Sequence, residues 1–82
     1  MAQTQRQAFL EQFGRRVHAS RTLAGLTLQA CADAAGMSYS NLSRVEHGKR
    51  SLYVENLAPL ATVLGVSADY LLGLSEQMRR AN

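Results

Sequence analysis

This chain of 82 residues has one cysteine, Cys31, and one proline, Pro59. A lone cysteine closes no intrachain disulfide and builds no cysteine zinc site. No apolar run is long enough to cross a bilayer and no signal peptide is recognisable, so the expected location is cytoplasmic. The glycine-rich pattern GxGxxG is absent, as is GxxxxGK followed by Ser or Thr, which removes both nucleotide-binding motifs. His18 and His47 stand far apart in the chain, and neither has a local carboxylate pair or a cysteine at ligand spacing. Cys31 falls on the apolar side of its segment, where a structural thiol is expected rather than a nucleophile. The expectation is therefore no enzyme, no metal and no cofactor. Charge of one sign is also scarce: nine basic against six acidic side chains leave +3, which permits attraction to phosphate without requiring it.

Apolar residues make up 46% of the chain, enough for one domain with a small core. The most informative stretch is Thr27 to Glu46, TLQACADAAGMSYSNLSRVE. Leu28, Cys31, Ala32 and Ala35 recur at three and four positions, Gly36 interrupts, and Leu42 and Val45 follow three apart. That is the pattern of two short helices meeting at a turn. Thr27 and Ser38 are their N-cap candidates, and Gly36 can take a positive φ between them. The second helix presents Tyr39, Ser40, Asn41, Ser43 and Arg44 outward, opposite Met37, Leu42 and Val45. A plain solvated helix would carry more Glu and Lys. Small polar residues let a backbone approach another surface closely, as a helix does in a DNA major groove.

In chain order, residues 1–7 show no periodicity and are expected to be frayed or marginally helical. From Ala8, Phe9, Leu10, Phe13, Val17, Ser20, Arg21 and Ala24 follow a 3.6-residue repeat, predicting a helix over about 8–24 that Gly25 ends. Gly14 inside it suggests close packing of another helix. Arg21 falls on the half-buried face and needs a carboxylate partner, for which Glu46 is the best candidate. After the basic loop His47-Gly48-Lys49-Arg50-Ser51, Leu57, Leu60, Ala61 and Leu64 predict a helix over about 54–64. Pro59 conflicts with a regular interior there, so a distorted first turn is expected, with Leu52 and Val54 packed on the core. Ser67 is placed to cap a fifth helix over 68–72, before Gly73. Residues 74–82 form a tail, either free or packed on a neighbouring subunit.

From about Phe13 to Leu72 the chain resembles the lambda-repressor-like helix-turn-helix domain of the Cro/XRE type. The resemblance is carried by Gly25-Leu26-Thr27, Ala32-x-x-x-Gly36-Met37-Ser38, Leu42-Ser43-Arg44-Val45-Glu46-x-Gly48-Lys49-Arg50 and Leu64-Gly65-Val66-Ser67, in that order and spacing. It implies an all-α, compact five-helix DNA-binding domain over 8–73. It also implies that Tyr39, Ser40 and Arg44 occupy base-reading positions, and that Asn41, Ser43, His47, Lys49 and Arg50 fall where backbone phosphates are touched. The family's ion pair between first and third helices maps onto Arg21 and Glu46. Where the family usually begins its second helix with Ser-Gln, this chain has Thr27-Leu28; Leu28 either joins the core or meets a sugar or methyl group.

The expected function is a sequence-specific double-stranded DNA-binding transcriptional regulator. One such domain makes few base contacts, so a homodimer on a palindromic operator, with half-sites roughly 34 Å apart, is the physical remedy. Tyr70, Leu71, Leu72, Leu74 and Met78 are the expected dimer residues. The family includes phage repressors and controllers of restriction-modification systems, and the run GKRSLYVENL resembles the controller type. The alternatives are a phage-type repressor or an antitoxin-like module that binds protein.

Overall fold

The computed structural model describes residues 2–79 and, among them, five α-helices and no strand: α1 (Ala2–Leu23), α2 (Leu28–Ala35), α3 (Tyr39–Glu46), α4 (Leu57–Leu64) and α5 (Ala68–Leu72). A single 3-10 turn, Val54–Asn56, leads into α4. Helix α1 crosses α3, α4 and α5, while α2 packs on α3 and α4. Phe13 and Val17 of α1, Cys31, Ala32 and Ala35 of α2, Leu42 and Val45 of α3, Leu60, Ala61 and Leu64 of α4, then Val66 and Leu71, form one buried cluster.

Helix α1 starts earlier than the expected residue 8. Residues 2–7 are mostly Ala, Gln and Arg, good helix formers, and they extend a helix already nucleated by the packing of Leu10 and Phe13, so no second nucleation cost arises. The Gln7 side chain also donates to Glu11 Oε2 at 3.1 Å and to the Gly48 carbonyl at 3.3 Å, tying the extension to the loop after α3. The expected tail is only partly free. Ser67 N donates to the Met78 carbonyl at 2.8 Å and Ser67 Oγ to that of Gln77 at 3.3 Å, so residues 77–78 fold back over the start of α5. Met1 and residues 80–82, the outer ends of the two expected extensions, lie outside the described residues.

The conflict at Pro59 is resolved by position. Regular α4 begins at Leu57, so Pro59 lies in the first turn, where a backbone N–H has no intrahelical partner to lose. The distorted entry is the 3-10 turn. Leu52 packs against the core as expected, but Val54 does not: it is 81% exposed. The tight turn carries Leu57 onto the core and leaves Val54 at the rim of an apolar groove with Phe9 and Leu72.

Candidate nucleic-acid interface

The two helices of the central stretch are fixed by their ends. Thr27 Oγ1 accepts from Ala30 N at 3.0 Å, and Ser38 Oγ from Asn41 N at 3.1 Å, each satisfying an otherwise unpaired N–H of a first turn. Gly36, at φ 73°, closes α2, letting Met37 N reach back to the Ala32 carbonyl at 2.8 Å. This bend sends α3 off with Leu42 and Val45 fully inside.

Helix α3 is then held from behind by α1. Gly14 is buried on the end of α3, and a Cβ at that position would lie 2.5 Å from the Val45 carbonyl oxygen and 2.6 Å from that of Glu46. Beside it Arg21 Nε donates to Glu46 Oε2 at 2.6 Å and Arg21 Nη2 to Glu46 Oε1 at 3.0 Å, a fork on a carboxylate whose side chain is 4% exposed. Arg21 Nη1 also donates to the Leu26 carbonyl at 2.8 Å. The hydrogen bond to Glu46 raises the Arg21 pKa further above its ordinary value, so the guanidinium is charged at any working pH. His18, one turn before Arg21, joins the pair with its Nδ1 3.0 Å from Glu46 Oε1. The α1 periodicity gave no reason to include it, since His18 lies off the apolar face; its i−3 spacing from Arg21 was the available signal.

On the outer side of α3, Tyr39, Ser40 and Arg44 are exposed, as the pattern required. Among the described residues the Arg44 guanidinium and the Lys49 ammonium have no ion-pair or side-chain hydrogen-bond partner. Asn41 and Arg50, expected as separate phosphate contacts, are instead joined: Arg50 Nη1 donates to Asn41 Oδ1 at 2.9 Å. Arg50 Nη2 donates to the Tyr53 hydroxyl at 3.1 Å, and its guanidinium lies 5.6 Å from the centroid of that ring. Tyr53 was missed by sequence reasoning, although an arginine and an aromatic three apart is a recognisable pairing. Ser43 is half-buried and its carbonyl accepts from His47 Nδ1 at 2.7 Å. Leu28 joins the core, the first of its two alternatives, and also lines an open recess of about 700 Å³ between α1, α2 and α3, with Arg15, His18, Glu46 and His47 around it.

The expected dimer residues separate into different environments. Leu71 is wholly buried and completes the core of its own domain, so it is not available to a partner. Met78 also packs inward, because its segment is tied to Ser67. Tyr70 is half-buried beneath the Arg16 guanidinium, 5.9 Å from its ring centroid. Leu72 lines the apolar groove, and Leu74 is 75% exposed. Cys31 is buried, and burial pushes its thiol pKa up, which keeps it neutral and unreactive. Among the described residues no His, Cys, Asp or Glu cluster could hold a metal, and no helix is long and apolar enough to cross a membrane.

A family model described as a helix-turn-helix domain matches residues 12–74. The chain belongs to this helix-turn-helix family. Within the family it is 41% identical over 61 residues to YazB of Bacillus subtilis (strain 168), an HTH-type transcriptional regulator, covering 74% of this chain and 88% of YazB. It spans about half the length of two other B. subtilis HTH-type regulators, 56% of YonR and 53% of ImmR. Among solved structures it is similar to the restriction-modification controller protein C.AhdI of Aeromonas hydrophila, with TM-score 0.74, 34% identity, and 78% of this chain and 97% of that one covered. It is also similar to the clp gene regulator ClgR of Corynebacterium glutamicum, with TM-score 0.75, 30% identity and coverages of 80% and 70%. YazB and ImmR are HTH-type transcriptional regulators, and C.AhdI is a restriction-modification controller.

Proposed function

We propose that this helix-turn-helix protein is a cytoplasmic, sequence-specific double-stranded DNA-binding regulator that acts as a homodimer on a palindromic operator. The observation that carries the reading is the outer face of α3, where Tyr39, Ser40 and Arg44 are exposed on a helix capped at its start and backed by a charged fork. In this reading Tyr39, Ser40 and Arg44 meet base edges. Ser43, His47 and Lys49 touch the backbone, and Asn41 and Arg50 do so as a joined pair through Arg50's remaining donors.

The dimer surface is taken to be the exposed Leu74 together with the apolar groove lined by Phe9, Val54 and Leu72. The similarity to C.AhdI over almost all of that controller's length supports a controller of a restriction-modification system, and the 37% identity to the SPbeta prophage-derived YonR supports the phage-type alternative. Selection from a random duplex library tests the function directly. Enrichment of an inverted repeat with half-site centres roughly 34 Å apart, or a multiple of that, is expected. Absence of any enriched sequence would transfer the chain to the antitoxin-like, protein-binding class.

A further inference from the structure

The recess between α1, α2 and α3 is basic on its α1 side, and its two histidines are constrained by the fold. His47 Nδ1 lies 2.7 Å from the Ser43 carbonyl oxygen. A carbonyl oxygen only accepts, so Nδ1 carries the ring proton, and in the neutral imidazole Nε2 is a bare lone pair. Phosphate oxygens are acceptors too. His47 Nε2 can therefore bond a phosphate only after taking up a proton. His18 Nδ1 faces both an acceptor, Glu46 Oε1 at 3.0 Å, and a donor, Arg21 Nη2 at 3.3 Å, so its neutral tautomer is not fixed as that of His47 is. Protonation of the ring lets Nδ1 donate to Glu46 and Nε2 donate outward at the same time.

The other charged groups around the recess are Arg15 and Arg21 from α1 and Glu46 from α3, while α2 contributes Leu28 and no charge. Glu46 is already engaged by the Arg21 fork, which leaves Arg15 as the uncompensated charge among the residues lining the opening. Arg44 and Lys49, close to His47 in the chain, add positive potential. The opening, about 700 Å³, is ample for a phosphate group.

We propose that this recess seats a phosphate of the DNA backbone, held by Arg15 and by Nε2 of His18 and His47, so that DNA binding takes up protons. The proposal rests on the DNA-binding reading and adds Arg15, His18 and a pH response to it. Calorimetric titration of the whole chain with a random-sequence duplex at low, constant ionic strength tests it, run from about pH 6 to 8, where imidazoles ordinarily change charge, in two buffers of different ionisation heat. The expected result is a buffer-dependent heat that reports proton uptake, and an affinity that rises as pH falls, by up to about tenfold per pH unit for each proton taken up. His47→Gln should remove part of that response and the double variant with His18→Gln nearly all of it. Arg15→Ala should keep the pH response but lower the slope of log affinity against log salt by about one. A heat independent of buffer, or a double variant that keeps the full pH response, overturns the proposal while DNA binding itself stands. Failure of the unmodified chain to bind any duplex overturns both. The two-buffer measurement needs no substitution, so a variant that unfolds does not remove the test.

Discussion

Arg21 and Glu46 are twenty-five residues apart in the chain, yet Arg21 Nε and Nη2 reach the two oxygens of one carboxylate at 2.6 and 3.0 Å. This fork ties the helix behind the interface to the end of the helix that forms it. Arg21→Ala leaves a carboxylate that is 4% exposed without its guanidinium, and should cost about 3–5 kcal/mol. Chemical denaturation measures it, and a midpoint equal to that of the unmodified chain would remove the claim. The sign with pH follows from the raised Arg21 pKa. Arginine's contribution is fully present below its unfolded value and is lost only when pH rises to strongly alkaline values.

Gly14→Ala should destabilise despite the better helix propensity of alanine. The propensity gain is about 1 kcal/mol, whereas the new Cβ would fall 2.5 and 2.6 Å from two backbone carbonyl oxygens and force α1 away from α3. Overpacking of this kind costs about 1–3 kcal/mol. Thermal unfolding should therefore shift down, with weaker DNA binding as α3 moves. A raised melting temperature would show that α3 yields without cost.

Arg44 and Lys49 should separate as reader and clamp. Arg44→Ala is expected to cost about 1–3 kcal/mol at its cognate base pair and to relax preference there. Lys49→Ala should weaken all sequences alike and lower the salt slope by about one for each phosphate that the lysine neutralises. Affinities on the selected site, its single-base variants and random duplex, each over a salt series, distinguish them. If Arg44→Ala lowered every affinity in parallel, specificity would have to rest on Tyr39, Ser40 or DNA shape.

Leu71 and Leu74, three residues apart, should fail differently. Leu71 is wholly buried, so Leu71→Ala should cost about 2–5 kcal/mol of folding stability. Leu74 is 75% exposed, so Leu74→Ala should leave the fold intact and weaken self-association. Sedimentation together with denaturation reads both, and a Leu74 variant that assembles as tightly as the unmodified chain would move the dimer surface elsewhere.

Local signals determined a large part of this molecule. Thr27, Ser38 and Ser67 cap the helices they precede, and the 3.6-residue repeats name nearly every buried side chain, because capping and amphipathic packing act within a turn or two of chain. The Arg21–Glu46 pair was legible for a related reason: a charge on a half-buried face needs an opposite charge. What tertiary structure decided depends on neighbours far off in sequence. The sequence leaves open whether Leu71 completes the core of its own domain or meets a partner, and only the packing of α5 on α1 and α4 puts it in the core while Leu74 stays in solvent. The joining of Asn41 to Arg50 and Tyr53 depends on how the loop after α3 folds back. The basic recess likewise exists only because α1, α2 and α3 converge, bringing Arg15, His18 and His47 around one opening, and no period in the sequence records where three helices meet.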